Sequence, residues 1–177
     1  GFAFLPVTCF TQALSTFVGQ NLGAGQHDRA KKGIAFGIVC SCGMAQAIGI
    51  LCYLFAPQLI GFFSDSPQAI DFGARHMRTI CLFNCLLAFS HCIAGIMRGA
   101  GDTTTPMWIA LATSVCARIP LAYGIAYFTS PDGVLKHGME ECIQISLLCT
   151  WILGALLTFI FYRVGKWKKK NKLKSIF

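Results

Sequence analysis

The sequence predicts an all-α protein, a polytopic bundle of five membrane-spanning helices. Of its 177 residues, 55% are hydrophobic and 12% charged, with a mean hydropathy of +0.60. A soluble domain carries about 25% charged residues. Charge is also absent from whole stretches: Gly33–Ser64, Thr79–Met97, Thr103–Ala117, Ile119–Pro131 and Cys142–Tyr162 contain no Asp, Glu, Lys or Arg. About 20 apolar residues, rising about 1.5 Å each, match the roughly 30 Å hydrocarbon core of a bilayer. Helices satisfy their own backbone hydrogen bonds in lipid, and these spans have helical length.

The first span runs from about Phe2 to Val18, with Gly23 and Gly25 placed to end it. Asp28 can cap the second, Lys32–Phe55. Pro57–Phe63 reads as a short interfacial piece before the third, Pro67–Met97, where Ser66-Pro67 supplies an N-cap and a first-turn proline. That third segment exceeds what a membrane needs, so its first turns, with Asp71, Arg75 and Arg78, belong in the interface or in water. Thr105-Pro106 repeats the start signal for the fourth, Pro106–Phe128, and Glu141–Arg163 forms the fifth. The expected organisation is a membrane unit over 1–163 and a basic tail over 164–177. Because Gly1 opens inside apolar sequence and the span count is odd, we expect a piece of a longer chain.

The formal net charge of +8 does not point to nucleic acid. Seven of the 15 Lys and Arg residues fall between Arg163 and Lys174, directly after an apolar span. Such residues fix topology by remaining on the cytoplasmic side, and they attract anionic lipid headgroups. Arg29, Lys31 and Lys32 in the first loop and Arg98 in the third agree with the tail. The alternate gaps hold Asp65, Asp71, Arg75 and Arg78, then Asp132, Lys136, Glu140 and Glu141. The basic loops and the C-terminus are therefore expected in the cytoplasm. The ten cysteines contain no C-x-x-C and mostly lie in apolar spans as small hydrophobes. Cys52 and Cys142 share a side, which leaves a disulfide open. No H-E-x-x-H or G-x-S-x-G motif occurs, so no enzyme is indicated.

Polar residues inside spans are the candidates for function. Thr8, Thr11, Gln12, Ser15 and Thr16 recur at helical spacing on one face. Thr and Ser can bond back to carbonyls one turn earlier, whereas Gln12 is harder to satisfy locally and can line a cavity. Asn84 and His91 are seven residues apart and share a face; His91 is either a titrating group or a neutral, bonded core residue. Arg118 lies 12 residues beyond Pro106, near the expected midplane. A central Arg costs at least roughly 2.5–3.5 kcal/mol, so it is expected to face the lobe interior or a cavity. Pro120 withholds a donor from the Cys116 carbonyl. Arg118 is then either a structural staple or a cation contacting substrate in an aqueous pathway. The substrate-pathway candidates are Gln12, Ser15, Asn84, His91 and Arg118. No acid lies in an expected membrane core.

Two motifs carry a family resemblance. Phe17-Val18-Gly19-Gln20-Asn21-Leu22-Gly23-Ala24-Gly25, with Asp28-Arg29-Ala30-Lys31-Lys32-Gly33, resembles the multidrug and toxic compound extrusion (MATE) signature at the end of the eighth helix. Met97-Arg98-Gly99-Ala100-Gly101-Asp102-Thr103-Thr104-Thr105-Pro106-Met107 is similar to the family's loop between helices ten and eleven, with Arg118-Ile119-Pro120 at a matching interval. The resemblance implies helices eight to twelve of a twelve-helix, two-lobed secondary transporter in the plasma (inner) membrane, with the first lobe missing here. It further implies export of drugs or toxic, typically cationic, organic compounds by antiport with Na+ or H+. It implies no cofactor, and the stretch Asn84–His91 lacks the acid that one branch uses for sodium, which places the ion site outside this chain. Two alternatives stand beside it: a lipid-linked oligosaccharide flippase of the same superfamily, and a non-transporting membrane scaffold.

Overall fold

A computed structural model describes residues 4–129 and 139–164. Its elements are α1 (Leu5–Gly23), α2 (His27–Leu54), α3 (Ala56–Gly61), α4 (Pro67–Cys81), α5 (Asn84–Gly99), α6 (Thr104–Leu111), a π-helical segment (Ala112–Ala117) running into α7 (Arg118–Thr129), and α8 (Met139–Val164). No strand occurs among the described residues. Phe2, the loop with Asp132 and Lys136, and the basic tail beyond Val164 lie outside the described residues, as does the Cys142 side chain of the Cys52–Cys142 pairing.

The 28-residue α2, the stretch Thr104–Ile125 and the stretch Ile143–Val164 are each long and apolar enough to cross a membrane. α4 and α5 pass the same test only together, bent by 54°. α1 falls short because Thr8, Thr11, Gln12, Ser15, Thr16, Gln20 and Asn21 dilute its apolar residues.

α1, α2 and α5 pack as a three-helix core, with α8 against α5 and α7 against α8. Val18, Ile34, Ile93, Ile96, Met97 and Tyr162 bury one apolar cluster where these helices meet; Val7, Ala45 and Ala88 form a second. The α1–α5 seam is close enough to need glycine. A Cβ on Gly95 would lie 2.7 Å from the Thr11 carbonyl oxygen, and one on Gly99 would collide with the Ser15 carbonyl. Gly95 and Gly99 are one turn apart, the small-xxx-small spacing that lets membrane helices approach through their backbones.

Three local expectations are corrected. The third segment is not one helix, because it breaks at Leu82–Phe83. Tertiary contacts favour the break: the Gln46 side-chain amide of α2 donates to the Cys81 carbonyl at 3.4 Å, and the Cys42 thiol points to the Cys85 carbonyl at 3.7 Å. Asp28 does not cap α2, which begins at His27; Asp28 stands in its first turn, where it complements the helix dipole. Thr105 does not cap the fourth segment either. α6 starts at Thr104, and Asp102 serves as its acceptor, taking hydrogen bonds from the Thr105 N–H at 3.0 Å and the Thr105 hydroxyl at 2.7 Å. Elsewhere the signals hold: α1 stops at Gly23, Gly25 turns the chain with φ +71°, and Ser66-Pro67 opens α4.

Candidate functional site

The polar interior of the molecule lies between α5, α6 with its π-helical continuation, and α8. Ser90, His91 and Arg98 from α5, Thr113 and Ser114 from the π segment, and Thr150, Trp151 and Thr158 from α8 surround a cavity of about 260 Å³. Against it lies a second, more apolar cavity of about 320 Å³, lined by Phe4, Val7, Ala45, Ile80 and Asn84. Leu87 and Trp151 line both, so the two form neighbouring compartments of one groove. An apolar site with a few convergent polar groups is the usual form of a small-molecule site.

Local sequence explains how each wall is held. Ser146, Thr150, Gly154 and Thr158 recur at four-residue spacing and form one stripe on α8. Their hydroxyls are buried and bond back within the helix: Ser146 to the Ile143 carbonyl at 2.9 Å, Thr150 to Leu147 at 2.8 Å and Thr158 to Gly154 at 2.6 Å. Small hydroxylated residues thereby keep the stripe thin and its backbone satisfied. In the opposite wall, Thr113 donates to the Ile109 carbonyl at 2.8 Å, and the Arg118 N–H reaches the Thr113 carbonyl, five residues back. That longer step inserts one residue into the turn just before Pro120, which has no N–H to offer.

Of the residues singled out from the sequence, Asn84 and His91 reach the groove, one in each compartment. The His91 ring meets Phe4 edge-on at 5.0 Å between centroids, so α1 also holds it. Gln12 and Ser15 do not line either compartment. Ser15 is half-buried in the α1–α5 seam and Gln12 is exposed, while Thr8 and Thr11 bond back to the Leu5 and Val7 carbonyls. Arg118 stands outside the groove with its side chain exposed. The extra residue of the π turn rotates α7 by about 100° relative to an unbroken α-helix.

Sequence reasoning passes over Ser90, Thr113, Ser114, Thr150, Trp151 and Thr158. The four-residue stripe on α8 is a legible signal. The contribution of the π segment is not, because Thr113 and Ser114 acquire their meaning only from the helix packed opposite. Gln46 is missed as well: it stabilises the α4–α5 break, which bends Asn84 toward Gly49.

An all-helical bundle of apolar spans, split by a groove lined with hydroxyls and aromatic rings, has the build of a membrane transporter. The MatE family profile matches residues 1–124, and the chain belongs to that family, whose members are integral membrane transporters rather than enzymes. It is 29% identical over 178 residues to the probable multidrug resistance protein NorM of Thermotoga maritima, covering 97% of this chain and 35% of that protein. It is 24% identical to the probable multidrug resistance protein YpnP of Bacillus subtilis over 93% of this chain and 35% of that protein. With the multidrug resistance protein PmpM of Pseudomonas aeruginosa the identity is 28%, over 76% of this chain and 28% of that protein. The fold matches the solved MATE transporter ClbM in complex with Rb+, with a TM-score of 0.80 and 18% identity over 96% of this chain and 38% of that one. The chain thus spans about a third of the length of the relatives it matches.

Proposed function

We propose that this chain forms one lobe's wall of a secondary transporter that exports drugs or toxic, cationic organic compounds by antiport with Na+ or H+. The observation that carries this is the convergence of Ser90, His91, Ser114 and Trp151 on a single cavity within a MatE-family bundle. Aromatic faces attract organic cations, and hydroxyls with a histidine offer weak, exchangeable hydrogen bonds. A pathway must release its cargo, and such contacts suit release. Asn84 and His91 form the inner wall, while Gln12 and Arg118 face outward to the second lobe that the relatives' greater length accommodates. α1 crosses the membrane beside the other four segments, its polar face against protein. Arg29, Lys31, Lys32, Arg98 and the C-terminus lie in the cytoplasm of a cell whose plasma membrane holds the protein.

The test is transport by the full-length protein in proteoliposomes. Ethidium should leave the vesicles only when a Na+ or H+ gradient is imposed, and the effective gradient names the coupling ion. Gradient-independent translocation of a lipid-linked oligosaccharide in place of ethidium would make the protein a flippase. Transport of neither by well-folded protein would make it a scaffold.

A further inference from the structure

A third cavity lies away from the groove, on the far side of α5, and Phe89, Ile93, Phe159 and Tyr162 give it an apolar floor of about 350 Å³. α2 contributes Ala35, Ile38 and Val39. Its chemistry changes sharply at one end. Arg163, in the last turn of α8, stands at the mouth with its guanidinium 5.4 Å from the centre of the Phe159 ring. Lys31 lies one turn before Ala35 on the same stripe of α2 as Ala35 and Val39, which brings a second cation to that end. Two elements from opposite ends of the sequence therefore present positive charge at the terminus of an apolar slot.

The slot's dimensions suit one occupant. The deepest lining residues are Val39, twelve residues from the start of α2, and Phe89, ten from the end of α5. At about 1.5 Å per residue the cavity reaches about 15–18 Å in from the helix ends, about the depth of one leaflet's acyl chains. Its volume accommodates about a dozen methylenes, each about the size of a water's 30 Å³ share. No acidic side chain lines the cavity. A hydrocarbon chain below and an anion above is the charge complement of this site. We infer that the α2–α5–α8 cavity is a binding site for an anionic phospholipid, with one acyl chain along Phe89, Ile93 and Phe159 and its phosphate on Arg163 and Lys31.

The experiment measures lipid retained by the purified, full-length protein in mild detergent, using dioleoyl phosphatidylglycerol against dioleoyl phosphatidylcholine and native mass spectrometry. The wild type should retain one phosphatidylglycerol in preference to phosphatidylcholine. R163Q and K31Q should each lower that preference about fivefold, and the double variant on the order of twenty-five-fold. Arg75→Gln, an exposed cation on α4, should change nothing. Ala35→Phe, which fills the slot from an exposed position, should displace phosphatidylglycerol while leaving the size-exclusion profile intact. Glycerol phosphate, which lacks acyl chains, should not compete. Equal retention of the two lipids would overturn the inference, since the slot would then hold ordinary annular lipid. An unchanged preference in the double variant would overturn it by assigning the charge effect to the lysine-rich tail. Competition by glycerol phosphate, or a dimer that covers this face, would overturn it as well. None of these outcomes bears on drug export, so failure here is distinguishable from failure of the transport proposal.

Discussion

The α1–α5 seam makes a quantitative prediction about stability. Gly95→Ala introduces a Cβ 2.7 Å from the Thr11 carbonyl oxygen and 2.8 Å from the Thr11 methyl. Ordinary contact begins near 3.4 Å, so α1 must withdraw by several tenths of an ångström. The obstruction at Gly95 includes backbone, and at Gly99 it is entirely backbone, so no rotamer change relieves it fully. Overpacking of this kind costs about 1–3 kcal/mol. Replacing a mid-helix glycine with alanine returns about 1 kcal/mol of helix propensity. The net expectation is a loss of up to about 2 kcal/mol for Gly95→Ala, and more for the double variant with Gly99→Ala. Gly43, midway along α2, has nothing within 4 Å of a built Cβ and serves as the control. Its alanine variant should be neutral or more stable. The assay is the thermal midpoint in detergent, followed by fluorescence-detected size exclusion. Matching midpoints for Gly95→Ala and Gly43→Ala would refute the close seam.

Further perturbations probe other parts of the structure. Asp102→Ala removes the acceptor for Thr104 and Thr105 at the start of α6, and should cost about 1 kcal/mol in the same assay, with Asp102→Asn recovering most of it. Gln46→Leu leaves the Cys81 carbonyl at the α4–α5 break without its donor. It should lower stability by about 1–3 kcal/mol, and accelerated hydrogen exchange confined to residues 81–87 would locate the effect. Because Arg118 is exposed in this lobe, Arg118→Ala should keep its thermal midpoint while lowering transport per folded molecule, with Arg118→Lys retaining part of it. Parallel loss of stability and transport would assign Arg118 to packing instead.

Much of this architecture is legible in the residues. Gly23, Gly25 and Ser66-Pro67 punctuate the chain where its helices stop and start, because each acts through its own backbone. The break at Leu82–Phe83 is not legible, since the contacts that favour it come from Gln46 and Cys42, 35 and 43 residues away in another helix. Counting from Pro106 does not reveal which way Arg118 faces, because the π segment turns α7 relative to an unbroken helix. His91 and Asn84 stand out because polar atoms inside apolar spans are costly and rare. Thr150 and Thr158 escape notice because a threonine that satisfies itself on its own helix carries no visible cost.

Trp151 offers the most direct test that the α5–α6–α8 groove receives substrate, because it lines both compartments. This chain has three tryptophans, so Trp108→Phe and Trp167→Phe, with any tryptophan of the second lobe replaced likewise, leave Trp151 as the reporter. Titrating ethidium into that full-length variant should quench its emission saturably, and His91→Ala should weaken the apparent affinity on the order of tenfold. Unchanged Trp151 emission during intact ethidium transport would place the pathway elsewhere and contradict the assignment of this groove.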